Sequence, residues 1–194
     1  MAGASDGGLR ERPTDPDADV PMAGGWALCL LWAASAAALP PDTGGAPPTA
    51  HEAVHSARQI TLAWMHTIER TRWEERYDLV GPDDTDGPCA PVPHRALCPR
   101  WVRVQGSGAG MEPAPHATWR DGGYEWAPPA LPVTALRLVR SPHAADYTLC
   151  LDAHCRPLTA WLPQTPPPEG VVRLRVCPAT GVSLTPAPAT KTSD

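Results

Sequence analysis

The chain has 194 residues, enough for one domain with tails, and holds 26 Pro and 16 Gly but no Phe. Pro and Gly in that proportion argue against a large continuous core and for much irregular backbone. A net charge of −5 leaves no basic footprint for nucleic acid.

Residues 1–21 are small, acidic and Pro-containing, without apolar periodicity, and are expected to be a disordered extension. Residues 22–38 have the form of a signal peptide. The apolar run Trp26 to Ala34 is too short to span a bilayer, and Ala36-Ala37-Ala38 offers an A-x-A cleavage site. No basic segment precedes the run, so Met22 competes with Met1 as the natural start. The alternative is a buried apolar helix. A signal places the chain outside the cell, secreted and with no membrane insertion after cleavage. Cleavage near Ala38 removes Cys29 and leaves Cys89, Cys98, Cys150, Cys155 and Cys177, an odd number that predicts one thiol free or shared with another chain. Their spacing matches no zinc framework, so disulfides are the default, with connectivity open.

The run from Thr49 to Val80 has neither Pro nor Gly and predicts one long amphipathic helix over about 50–79. Thr49 and Glu52 fit a capping box. Ala53, Ala57, Ile60, Trp64 and Ile68 recur at spacings of three or four, and Gly81-Pro82 ends the run. Such a helix would be roughly 45 Å long at ~1.5 Å per residue. The chain shows no second amphipathic helix, so the face bearing Ile60, Trp64 and Ile68 is expected to be an open interface.

On that helix His51-Glu52-Ala53-Val54-His55 fits H-E-x-x-H, in which His51 and His55 would bind zinc and Glu52 would serve as general base. Glu69 or Glu74, as third ligand, would stand several turns along the same helix, Glu69 about 21 Å from His55 at ~1.5 Å per residue, so Glu52 is read as a cap and the zinc pair as a minor candidate. The loop Asp83 to Cys89 is acidic but lacks the EF-hand glutamate. Between Cys89 and Cys98 a disulfide would staple a Pro-rich loop. Beyond Val102 the chain is Pro- and Gly-rich, and only Val133 to Val139, Tyr147 to Leu151 and Val171 to Val176 suggest short strands. Trp119 to Trp126 reads as a local cluster. Ser56, Ser107 and Ser141 lie in no nucleophile elbow. No enzyme and no cofactor emerge from these residues.

The signal, a Pro-rich entry, a long helix and a cysteine-bearing loop follow the order of secreted four-helix cytokines. Thr61-Leu62-Ala63-Trp64, then Val92-Pro93-His94 and Cys98-Pro99, make residues 22–101 resemble those of the interleukin-23 alpha type. The resemblance implies residues 39–101 as a first helix and crossover loop, a cell-surface receptor as partner, and a disulfide from Cys89 or Cys98 to a beta subunit. It stops near residue 102, where Val102-Arg103 can be encoded in the form of a splice donor. Residues 102–194 are accordingly expected to be a Pro-rich, low-order region read from an intron or a wrong frame. Two other readings stand beside the cytokine: a secreted or viral β-rich binding module, and a small zinc metalloprotease.

Overall fold

The computed structural model describes residues 25–106 and 114–179. Eleven strands occur among them: β1 (Trp26–Ala33), β2 (Ala53–Ser56), β3 (Gln59–Met65), β4 (Arg72–Val80), β5 (Ala96–Gln105), β6 (Thr118–Arg120), β7 (Gly123–Trp126), β8 (Ala135–Arg140), β9 (Thr148–Leu151), β10 (His154–Pro157) and β11 (Gly170–Pro178). They form two antiparallel sheets, one of four strands in the order β2-β1-β11-β8 and one of seven in the order β10-β9-β3-β4-β5-β7-β6. Helical structure in the described residues is limited to two short 3-10 turns, Ala36–Ala38 and Leu158–Trp161.

The strands form because apolar residues alternate. In β3 Ile60, Leu62 and Trp64 share one face, and in β4 Trp73, Tyr77 and Leu79 do, with Arg72, Glu74, Arg76 and Asp78 on the other. In the four-stranded sheet Leu28 and Leu30 of β1, Leu138 of β8, and Val172, Leu174 and Val176 of β11 meet Ile60, Leu62, Leu79, Leu97, Leu149 and Leu151 of the larger sheet in one core. Each fully buried aliphatic side chain contributes about 1.5–3 kcal/mol.

The predicted helix over about 50–79 is therefore β2, β3, a tight turn and β4. The four-helix cytokine resemblance falls with it, because its first helix does not exist and its short words lie in a strand and a stapled loop. The capping box survives only as a turn: Thr49 N–H donates to Glu52 Oε2 at 2.8 Å, and no helix follows. Ile60 is buried in the chain's own core, Trp64 is half-buried, and Ile68 is 81% exposed at the turn, so the three do not form one open face. The described residues of the second half form strands as well. Residue 102 lies in mid-strand in β5, with Val102 and Val104 buried. The β-rich alternative describes the architecture found.

Trp26 to Ala33, read from the sequence as the apolar part of a leader, is β1 and pairs with β11 from Trp26↔Pro178 to Ala33↔Val171. Cys29 is bonded to Cys177, Cys89 to Cys98 and Cys150 to Cys155. The long connection from β1 to β2 covers the outer face of β11, where Arg173 and Arg175 would otherwise meet water. Arg173 donates to the Pro40 carbonyl at 2.7 Å and to Glu52 Oε1 at 2.9 Å, while Arg175 clasps both Glu52 oxygens at 2.8 and 2.6 Å. Burial would raise the Glu52 carboxyl, but hydrogen bonds from Arg175, the Thr49 N–H and Arg173 outweigh it and hold the group below its ordinary value. Gly81 is required where it stands, since a Cβ would lie 2.2 Å from the Trp26 indole. The 1–21 extension lies outside the described residues.

Candidate functional site

The turn between β3 and β4 lacks Gly and Pro. It closes through His66 N–H to the Thr71 carbonyl at 2.9 Å and Arg70 N–H to the His66 carbonyl at 2.8 Å, with Arg70 at φ 51°. Because β9 pairs with β3, this turn lies beside the loop between β8 and β9. A cleft of about 270 Å³ opens between them, lined by Trp64, His66, Thr67, Arg140, Ser141 and Tyr147 among others. A shallower groove continues it past Arg70 and His143.

The aromatic side of the cleft is the Trp64–Tyr147 pair, with centroids 6.2 Å apart. Tyr147 spends its hydroxyl on the Val139 carbonyl at 3.1 Å, and burial, then the charge of Asp146, pushes that hydroxyl's pKa up. The polar side is rich in donors. Glu69 N–H donates to His66 Nδ1 at 3.3 Å, which leaves Nε2 to carry the proton of the neutral ring. His143 N–H donates to Ser141 Oγ at 3.2 Å, so the Ser141 proton stays available. The acceptors are already taken: Asp146 Oδ2 receives both N–H and O–H of Thr159 at 3.0 and 2.9 Å, and Oδ1 receives Arg140 Nε at 3.3 Å. Arg140 Nη1 is held by the Pro167 carbonyl at 2.7 Å. A group entering the cleft thus meets a ring face, a guanidinium, an imidazole N–H and two hydroxyls.

Ser107 lies outside the described residues, and the other residues singled out from the sequence are placed elsewhere, with two exceptions. Ser141 and Trp64 line this cleft. His51 is exposed in a turn, and His55 stands in β2, where its Nε2–H donates to the Trp161 carbonyl at 2.8 Å and its ring meets the Trp161 ring edge-on. Burial lowers the His55 pKa; the Trp161 carbonyl acts against this and the charge of Arg156 adds to it. Without a helix the i, i+4 juxtaposition of the two histidines is lost, and Glu52 is held by arginines. Among the described residues no three His, Cys, Asp or Glu side chains are gathered as metal ligands would be. Cys89 and Cys98, offered by the resemblance as links to a beta subunit, bond each other, as do Cys150 and Cys155 across the β9–β10 hairpin. Cys177 takes Cys29, so the described residues contain no free thiol. Sequence reasoning missed His66, Arg70, Arg140, His143, Asp146 and Tyr147, because no local motif joins them.

No helix among the described residues is long and apolar enough to cross a membrane. The three disulfides and this observation are compatible with an extracellular protein. No curated protein and no solved structure matches the chain. A family model described as a domain of unknown function, DUF1850, matches residues 60–158. That span runs from β3 to the end of β10 and contains every cleft residue named above. It is just over half of the 194 residues, and the chain belongs to the DUF1850 family.

Proposed function

We propose that this protein is a secreted, non-catalytic binding module that holds a small organic anion, a carboxylate or phosphate with an apolar body, in the cleft between the β3–β4 turn and the β8–β9 loop. The observation that carries the reading is the imbalance of donors over acceptors beside an aromatic wall. Arg140 Nη2, His66, Ser141 and Thr67 offer hydrogens, whereas the one carboxylate, Asp146, already accepts three, from Arg140 Nε and from the N–H and O–H of Thr159. An acceptor-bearing anion completes that set, and a charge-assisted bond to Arg140 would be the strongest single contact. Small-molecule sites run to about 300–1,000 Å³, so a cleft of about 270 Å³ suits a ligand at the small end. Binding rather than catalysis is supported by the same bonds, since the bases that would abstract a proton, Asp146 and His66 Nδ1, are both occupied. The disulfides favour an oxidising compartment.

Calorimetric titration with benzoate, phenyl phosphate and hexanoate, with benzamide as neutral control, tests the reading. One or more anions should bind, benzamide should not, and Arg140→Lys should weaken binding about tenfold, because an ammonium cannot hold Asp146 and the Pro167 carbonyl and still present Nη2 to the ligand. Benzamide binding as well as benzoate, or no anion binding tighter than about 10 mM, would overturn it.

A further inference from the structure

We propose a second site, independent of the cleft, in which Glu75 and the indoles of Trp73 and Trp126 bind the ammonium head of a small organic cation. Glu75 breaks the pattern of its own strand: on the inward face of β4 it stands between Trp73 and Tyr77, with Leu62 and Val102 as its cross-strand neighbours and Trp126 next beyond Val102. An inward carboxylate at an otherwise apolar position costs stability, and such violations of pattern concentrate at functional sites.

Its partners are unusual as well. Trp73 Nε1–H donates to Glu75 Oε1 at 2.9 Å and the Tyr77 hydroxyl donates to Oε2. Both donors are neutral, and burial together with Glu75 keeps the Tyr77 hydroxyl firmly protonated. The other carboxylates on this sheet have cations: Glu74 has Arg72, Asp78 has Arg100 and Glu125 has Arg103. Glu75 alone on these strands has none within 4.0 Å among the described residues. The link between β5 and β6, residues 106–117, holds no Lys or Arg, and its one histidine, His116, bonds the Ala127 carbonyl through Nε2 at 2.9 Å. The site is thus a fixed, half-buried negative charge awaiting a positive one.

The walls select the kind of cation. Trp73 and Trp126 meet at 85° with centroids 5.8 Å apart. Indole faces attract cations that shed water readily, and quaternary ammonium groups are the usual occupants of such corners. Calcium or magnesium would need six or more oxygen ligands, which one carboxylate among rings does not supply. Four strands do not cover seven, and Trp73, Glu75, Tyr124 and Trp126 remain partly exposed while Trp119 is 54% exposed, so the face can be reached from solvent.

The test uses the full chain with its disulfides intact and choline as probe, with its neutral isostere 3,3-dimethylbutan-1-ol as control. Choline should shift the indole N–H resonances of Trp73 and Trp126 in a saturable way, the alcohol should leave them in place, and Glu75→Gln should weaken choline binding by about tenfold or more. Should Glu75→Gln fail to fold, Trp126→Leu, on a strand near the sheet edge, gives the same reading with a smaller loss. Equal shifts with the alcohol would make the face merely apolar and overturn the proposal, as would indole resonances unmoved by choline. Neither outcome touches the anion titration, which reads other residues.

Discussion

Cutting the Cys29–Cys177 bond should cost more stability than cutting either of the others, because it closes nearly the whole fold into one loop. The sequence separations are 148, 9 and 5 residues for Cys29–Cys177, Cys89–Cys98 and Cys150–Cys155. On the chain-entropy relation these correspond to about 5, about 2.5 and about 2 kcal/mol removed from the unfolded state's advantage. A domain has only about 5–15 kcal/mol in hand, so the first loss brings the protein near the edge of folding and the others do not. Three double variants, each replacing one pair by Ala, would be unfolded in urea and followed by tryptophan fluorescence and circular dichroism. The midpoint should fall most for Cys29→Ala with Cys177→Ala, with the slope on urea rising because the unfolded chain without that link is less compact. If that variant loses less than the Cys150→Ala with Cys155→Ala variant, the two chain ends are not held together as β1 and β11 are here. The same arithmetic bears on location, since a reducing compartment would remove all three terms at once.

The buried Glu52, Arg173 and Arg175 cluster predicts that Glu52→Ala destabilises by about 3–5 kcal/mol, since two guanidiniums stay buried without a counter-charge. Adding Arg173→Met and Arg175→Met should restore most of the loss in thermal melts, and an unrestored triple variant would show that packing, not charge, decides. The Glu52 carboxyl titrates below its ordinary 4.5 when folded, so the stability it lends is complete above that value and drains as pH falls through the folded value. Wild type should therefore lose stability in acid more steeply than the triple variant, and parallel acid curves would refute the assignment.

The strands were legible where alternation is clean and hidden where one residue spoils it. Val171 to Val176 announces a strand, and β11 is one, although its outer side is buried as well because residues 40–52 cover Arg173 and Arg175. Arg72 to Val80 alternates equally well except at Glu75, and that inward charge breaks the apolar face that would have signalled β4. The β3–β4 turn gave no warning either. Gly or Asn usually supplies the positive φ of a tight turn, whereas here Arg70 adopts it and His66 braces it through Nδ1. An unbroken run without Pro or Gly therefore looked like one helix. The cleft was not legible at all, since its two sides lie some seventy positions apart and meet only through the pairing of β3 with β9.

The leader-like run cannot be both discarded on export and central to the fold. Cleavage near Ala38 would remove Leu28 and Leu30, both 0% exposed, and with them Cys29. At about 1.5–3 kcal/mol for each leucine and about 5 kcal/mol for the disulfide, the product would forgo most of a domain's ~5–15 kcal/mol. It would also leave the inner edge of β11 unpaired along eight residues, from Val171 to Pro178. Expression of the full chain behind a heterologous leader in a secretory cell should accordingly give folded protein that retains Trp26 to Ala33, with Cys29 and Cys177 recovered in one linked peptide after digestion. Medium containing a cooperatively melting chain that begins at Leu39 would show that β11 finds its neighbour elsewhere, and that the apolar run serves export rather than the fold.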